Sequence, residues 1–336
     1  MKRFRRAAAL LLAGATAVTH AATPAAAANE QSTPSRRVDE RHEAAADGPI
    51  RVDIAHGRLR IVGTEAGPAD GRGETSVRVR GSVDAALRGV TVRREAGAIE
   101  VRTRLALADR VVRVVRSTEP PHPVDLEIEV PAASRLFVVT RDAEITIEDV
   151  RGPIGVGAVS SRIVVDGDPA WLSVETLSGS LDFAGRSASV TASTLGGDLS
   201  LQGTIARARL DTVSGAVRLL ASGLEELALT TVSGAVSFGG RLAGGAEASI
   251  GTDSGRIELA VGVLGAESGG SGAALELRTG GEIVDRRSGA PTELATGEDG
   301  SRLTLGESEA TIRVRSRTGQ IVLVEELPAP SPPGAS

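Results

Sequence analysis

Val174-Glu175-Thr176-Leu177-Ser178-Gly179-Ser180-Leu181-Asp182-Phe183 reads as a strand, a tight turn and a second strand. Apolar and polar residues alternate on both sides of Ser178-Gly179, the period-2 pattern of half-buried strands. The phrase returns around Gly197, Gly215, Gly234 and Gly255, and weaker copies centre on Ala143, Ser161, Gly281 and Gly319. From Ala143 to Gly319 the steps are 18, 18, 18, 18, 19, 21, 26 and 38 residues. A near-constant step marks units that stack, each burying against its neighbours the apolar face it cannot bury alone. Nine anchors predict about nine coils.

Superposing the copies on their turns separates inside from outside. Leu172/Val174/Thr176 match Val190/Ala192/Thr194 and Ala208/Leu210/Thr212 before the turn. Leu181/Phe183 match Leu199/Leu201 and Val217/Leu219 after it. Successive side chains of a strand face opposite ways, so these positions share one interior while Glu175, Asp182, Ser193 and Ser200 face water. Thr fills the last inward position in six of seven successive copies, Thr140 to Thr252, with Ala158 the exception. A buried hydroxyl needs a partner, so the series predicts a ladder that satisfies turn backbone groups. Glycine in the turn is expected to supply a positive φ, and the serine before it to bond the local backbone. A hexapeptide helix would space apolar residues every six positions; here they come in two alternating runs split by Ser-Gly. The chain therefore reads as all-β: a parallel β-solenoid (β-helix), right-handed or flattened, of about 18 residues per coil, with an N-terminal strand-rich cap.

Residues 1–28 read as a secretory signal peptide: the basic run Lys2 to Arg6, an apolar stretch from Ala7 to Val18, and a small-residue cleavage site at Ala26-Ala27-Ala28. That stretch falls short of the roughly 20 residues a spanning helix needs, and no later segment approaches it. Residues 29–48 are polar and aperiodic and read as a flexible linker. Residues 49–135 hold alternating runs at Ile50–Ile54, Leu59–Val62, Ser76–Arg80, Val90–Arg93, Ile99–Thr103, Val111–Val115 and Leu126–Val130, the strands of the cap, with a loop at Pro120–Pro123. Residues 136–327 form the solenoid, with Gly-rich insertions at 262–272 and 286–300, and residues 328–336 a proline-rich disordered tail.

Leu126-Glu127-Ile128-Glu129-Val130-Pro131, then an alternating strand and serial Thr-x-Ser-Gly-x-Val coils, resembles the bacterial DUF4097 family of β-strand-repeat, adhesin-like proteins. The resemblance spans roughly residues 49–324. It implies a secreted or envelope-associated parallel β-solenoid without known catalysis. The family's turn pattern, Ser/Asn-Gly-Asp-Val/Ile, keeps its Asp here at Asp198 but has Ser180, Ala216 and Ala235 elsewhere, and asparagine occurs only at Asn29.

Composition and motifs narrow the function. With no cysteine there is neither a disulfide framework nor a thiolate metal site. Loss of Lys2, Arg3, Arg5 and Arg6 with the signal takes the formal charge from −5 to −9, and the arginines are dispersed among acids, which argues against nucleic acid. Four Phe, one Trp and no Tyr leave little for the stacking platforms of sugar clefts and single-strand binders. His20, His42, His56 and His122 form no ligand pair, and no serine sits in a Gly-x-Ser-x-Gly elbow. No cofactor or metal is expected. Some parallel β-helices cleave polysaccharide with clustered acids; here only Asp182 and Asp198 lie near each other, on a diagonal, as candidates for such a carboxylate pair. The expected function is a non-enzymatic module at the cell envelope that binds a protein or glycan, with a β-helix polysaccharide enzyme as the alternative. The candidate interaction site is an apolar corner stripe, Val159, Leu177, Leu195, Val213 and Val232, each preceding Ser-Gly or its equivalent in successive coils.

Overall fold

The computed structural model describes residues 35–65, 75–84, 87–95, 97–105, 124–260, 274–286, 295–297, 300–305 and 310–327. The expected signal peptide, the strand at Val111–Val115, the Pro120–Pro123 loop, the insertion at 262–272 and the tail lie outside these residues. Among the described residues all regular structure is β, and twenty-one strands join one hydrogen-bonded network.

Ahead of the periodic region lie β1 (Ser35–Ala44), β2 (Pro49–Thr64), β3 (Thr75–Asp84), β4 (Leu87–Glu95), β5 (Ala98–Leu105) and β6 (Val124–Pro131). The strand β1 takes up part of the segment that composition assigned to a flexible linker. It pairs antiparallel with β3 along its whole length, and Arg78 on β3 clamps Asp39 at 3.0 Å. Its mixed charges are thus the outer face of an edge strand, a pattern that a polar linker shares.

β7 (Arg135–Glu148), β8 (Ile154–Gly157), β9 (Arg162–Gly167) and β10 (Trp171–Thr176) start the repeats. They continue through β11 (Ser180–Thr194), β12 (Leu199–Thr212), β13 (Val217–Thr231), β14 (Val236–Thr252) and β15 (Ile257–Ala260). Pairing between repeats is parallel and keeps like positions together: Leu172 beside Val190, Leu181 beside Leu199, Leu199 beside Val217, Val217 beside Val236. Every inward position named above except the half-buried Ala158 is buried, Leu181, Val190, Leu210 and Leu219 completely. Each fully buried aliphatic side chain contributes about 1.5–3 kcal/mol relative to exposure, and the columns repeat that contribution in every layer.

Two features of the stack depart from chain spacing. Pro49–Thr64, assigned to the cap, runs parallel to β7, with Ile50 beside Leu136 and Leu59 beside Ile145. The expected pair of strands around His56-Gly57 is one continuous strand that forms a further layer of the same core. The excursion through β3 to β6 separates it from β7 in sequence, so no 18-residue step betrays it. At the other end come β16 (Ala274–Thr279), β17 (Ile283–Asp285), β18 (Ala295–Gly297), β19 (Gly300–Leu305), β20 (Thr311–Ser316) and β21 (Ile321–Val324). Here β20 pairs with β14 on one side and β16 on the other, and β21 lies between β15 and β17 in the same way. The layer anchored at Gly319 therefore precedes the one anchored at Gly281. The last layer pairs antiparallel with β19, whose partner β18 falls within the expected insertion at 286–300.

The inside–outside assignment has a direct test. Leu199 is 1 % exposed, whereas Ser200 beside it faces outward between Asp182 and Arg218. Leu199→Asp is expected to cost about 3 kcal/mol or more through a buried unpaired charge. Ser200→Asp should stay within about 1 kcal/mol, as surface changes do. Urea unfolding midpoints of the two variants measure the difference.

Candidate functional site

The corner between the two strands of each repeat is built by three residue types. The threonine enters from the inward column, so its hydroxyl lies beneath the turn. It accepts the glycine N–H three residues on: Thr176 from Gly179 at 3.0 Å, Thr194 from Gly197 at 3.0 Å, Thr212 from Gly215 at 3.2 Å, Thr231 from Gly234 at 3.0 Å and Thr252 from Gly255 at 2.9 Å. Several of the same hydroxyls donate to the preceding layer, as Thr176 does to the Val159 carbonyl at 3.3 Å. Ser316 replaces threonine in one layer and accepts from Gly319 at 2.8 Å. The ladder expected from the sequence is present and its role is structural. Thr140 departs from it: its buried hydroxyl has no hydrogen-bond partner among the described residues, and the amide of Ala143 is instead capped by Ser161 of the next layer at 3.1 Å.

The serines also reach across layers, Ser214 donating to the Leu195 carbonyl at 3.1 Å and Ser233 to the Val213 carbonyl at 3.3 Å. The glycines act differently from expectation. None of Gly179, Gly197, Gly215, Gly234 and Gly255 has a positive φ. What requires glycine is closeness: a Cβ at Gly197 would lie 1.7 Å from the Gly179 carbonyl oxygen, and one at Gly215 1.8 Å from that of Gly197. Positive φ belongs to a second column, Gly167, Gly185, Gly203 and Gly240, at 137–143°, where the chain bends on the far side of the strand.

With threonine held inside and glycine pressed against the layer before it, the residue after threonine, or after Ala158 in one repeat, is turned outward. Val159, Leu177, Leu195, Val213 and Val232 are 41, 50, 55, 41 and 46 % exposed. Backbone hydrogen bonds bind the corners to one another, from Leu177 N to Val159 O at 3.2 Å and from Leu195 N to Leu177 O at 3.1 Å. Layers about 4.8 Å apart give five residues a row of roughly 19 Å. Arg141 occupies the equivalent position at one end. At the other the row stops at Asp253 and Arg317, which form an ion pair with Arg317 Nη2 at 2.7 Å from the carboxylate. That hydrogen bond, and then the charge of Arg317, holds the Asp253 carboxyl below its ordinary value.

Phe137, Val139 and Trp171 are also exposed, at 38, 51 and 38 %, and were not singled out from the sequence. The alternation that puts Leu136 and Val138 inside puts Phe137 and Val139 outside, so the signal was there. Asp182 and Asp198 serve the framework. Asp198 caps the Ala216 amide of the next layer at 2.8 Å, and Asp182 lies 3.6 Å from the Arg162 guanidinium. His42 sits on β1 beside Glu40 at 3.2 Å, and His56 lies in β2. Among the described residues no group of three His, Asp or Glu is placed to hold a metal, and no helix is long and apolar enough to cross a membrane.

No family model matches the chain, and no curated protein does. Among solved structures it is similar to a "putative cell adhesion protein" from Clostridium sporogenes, at 8 % identity over 86 % of this chain and 99 % of the other, with a TM-score of 0.26. It is similar to a "putative adhesin" from Bacteroides fragilis, at 11 % identity over 86 % and 97 % of the two chains, TM-score 0.36. A "putative lipid binding protein" from Parabacteroides distasonis matches at 10 % identity over 85 % and 96 %, TM-score 0.44.

The threonine ladder predicts that Thr212→Val, which keeps the shape but leaves the buried Gly215 amide without its acceptor, costs about 1–3 kcal/mol. Thr191→Val, on the outer face, should cost under about 0.5 kcal/mol. Chemical denaturation measures both, and hydrogen exchange at Gly215 should speed up in the first variant alone.

Proposed function

We propose that this chain is an exported, non-enzymatic interaction module of adhesin-like type. Its stacked repeats form a parallel β-solenoid whose rigid outer corner, from Val159 to Val232, is a docking line for a partner at the cell envelope. The observation that carries this reading is the stripe itself. Five aliphatic side chains stand in register, each 41–55 % exposed, on corners tied together by backbone hydrogen bonds. An apolar row that is rigid before binding loses little conformational freedom on association.

The stripe is aliphatic and lacks the flat rings that sugars stack on, so its chemistry fits a protein partner better than a glycan. A second apolar strand or helix laid along a row of roughly 19 Å would cover all five residues. Export is supported by the basic, apolar and small-residue sequence of residues 1–28. Asp182 and Asp198 each already serve a neighbouring group, which favours a framework role over acid–base chemistry.

Leu177→Ser with Leu195→Ser tests the reading on the mature chain. Crosslinking to envelope proteins, followed by a binding titration with the captured partner, should show affinity falling about tenfold or more, since two buried leucines contribute on the order of 1.5–3 kcal/mol each. The melting temperature should stay unchanged. Retention of the same partner at the same affinity would sink the docking line. Turnover of a glycan that disappears in Asp182→Asn/Asp198→Asn would overturn the non-enzymatic reading.

A further inference from the structure

The inverted order of the last two layers creates a surface that chain spacing does not foreshadow. In the outward column that contains Val139, the register runs from Thr230 to Gly251, then Arg315, then Arg278. Two arginines of adjacent strands thus stand directly beside each other, and β19 puts Arg302 at the register position opposite Arg278. Like charges directly opposite in a sheet are destabilising. The flanking columns resolve this problem with acids: Arg313 lies 3.6 Å from Glu276, and Arg317 pairs with Asp253. Arg278 and Arg315 are exposed and have no such partner among the described residues.

The space before them is open. Thr230, Gly251, Asp253, Arg278, Arg315 and Arg317 are among the residues lining a groove of about 670 Å³. Gly251 is not imposed by packing: a Cβ there would come no closer than 3.9 Å to any neighbour, and its φ is not positive. This glycine therefore differs from those of the corner, since its effect is to leave a notch beside two uncompensated guanidinium groups. The Asp253 carboxylate at the groove's edge is already neutralised by Arg317.

We infer that this groove binds an oxyanion, the carboxylate or sulfate of an acidic glycan or a phosphate group, with Arg278 and Arg315 as the ligating residues. Guanidinium forks match such groups with paired, charge-assisted hydrogen bonds. Thr230 lines the same groove, two register positions from Arg315. The mature chain carries a formal charge of −9, so general electrostatics repel an anion and attraction must be local. The site is separate from the aliphatic stripe and stands whether or not that stripe docks a protein.

Calorimetric titration of the mature chain with oligogalacturonate, a sulfated oligosaccharide and inorganic phosphate tests the inference. Saturable binding of at least one probe is expected, weakened about tenfold by Arg278→Gln or Arg315→Gln. Arg313→Gln, whose arginine already faces Glu276, should leave it within about twofold. Tighter binding of either oligosaccharide than of phosphate assigns the site to an acidic glycan, and the reverse order assigns it to phosphate. Gly251→Glu supplies the missing carboxylate in cis; it should abolish binding while raising the melting temperature, and Gly251→Ala should preserve both. No saturable binding by any probe, or binding indifferent to the arginine substitutions in folded protein, overturns the assignment.

Discussion

The backbone-to-backbone contact at the corner glycines sets everything else in the stack. From Gly179 through Gly255, and again at Gly319, a Cβ would lie 1.7–2.2 Å from the carbonyl oxygen of the layer before. At these six corners only a residue without a side chain fits between the layers, whereas Ala143 and Ser161 hold the equivalent place in the first two repeats. In the second column Gly185, Gly203 and Gly240 make the same close approach at the opposite bend, where a Cβ would lie 1.8, 1.9 and 1.7 Å from the carbonyl oxygen of the layer before, and Ala221 takes the place between Gly203 and Gly240. From the corner to the opposite bend the strands pair in unbroken register and the apolar columns follow; register shifts fall beyond that bend, at Thr204–Arg207 and Ala221–Glu226.

Once the bends are fixed, the remaining corner residues take their roles from what is left. The turn amide points inward and must be satisfied there, which places a hydroxyl beneath it and makes threonine, or serine at 316, the fitting residue. The next residue has nowhere to go but out. The aliphatic stripe is thus in part a geometric consequence of the ladder. Geometry accounts for its exposure and alignment but leaves its composition free, and Asp253 and Arg317 occupy the same position without disturbing the turn. Val, Leu, Leu, Val and Val at five successive corners is the part that the fold does not dictate.

Much of this was legible in the sequence because a parallel stack writes its register into the spacing. The inward columns, the threonine ladder and the outward placement of Val159 to Val232 all follow from a period-2 alternation locked to an 18-residue step. Three things were hidden, each for a physical reason. The role of the corner glycines was misassigned, because positive φ and close approach both select glycine and only the backbone path tells them apart. The layer at Pro49–Thr64 was hidden by the long excursion between it and β7. The exchange of the last two layers was hidden because a step of 26 or 38 residues gives length and not destination. The arginine row depends on that exchange and so was invisible, whereas Phe137 and Val139 were readable from alternation alone.

The close-approach account turns on two adjacent glycines. A Cβ at Gly197 would meet the Gly179 carbonyl at 1.7 Å, while one at Gly196 would find its nearest neighbour, the Ser214 hydroxyl, at 3.6 Å. Equilibrium unfolding of Gly197→Ala and Gly196→Ala measures the contact directly. The account predicts a loss of about 3 kcal/mol or more for the first and less than about 1 kcal/mol for the second. Equal stability of the two variants would contradict it.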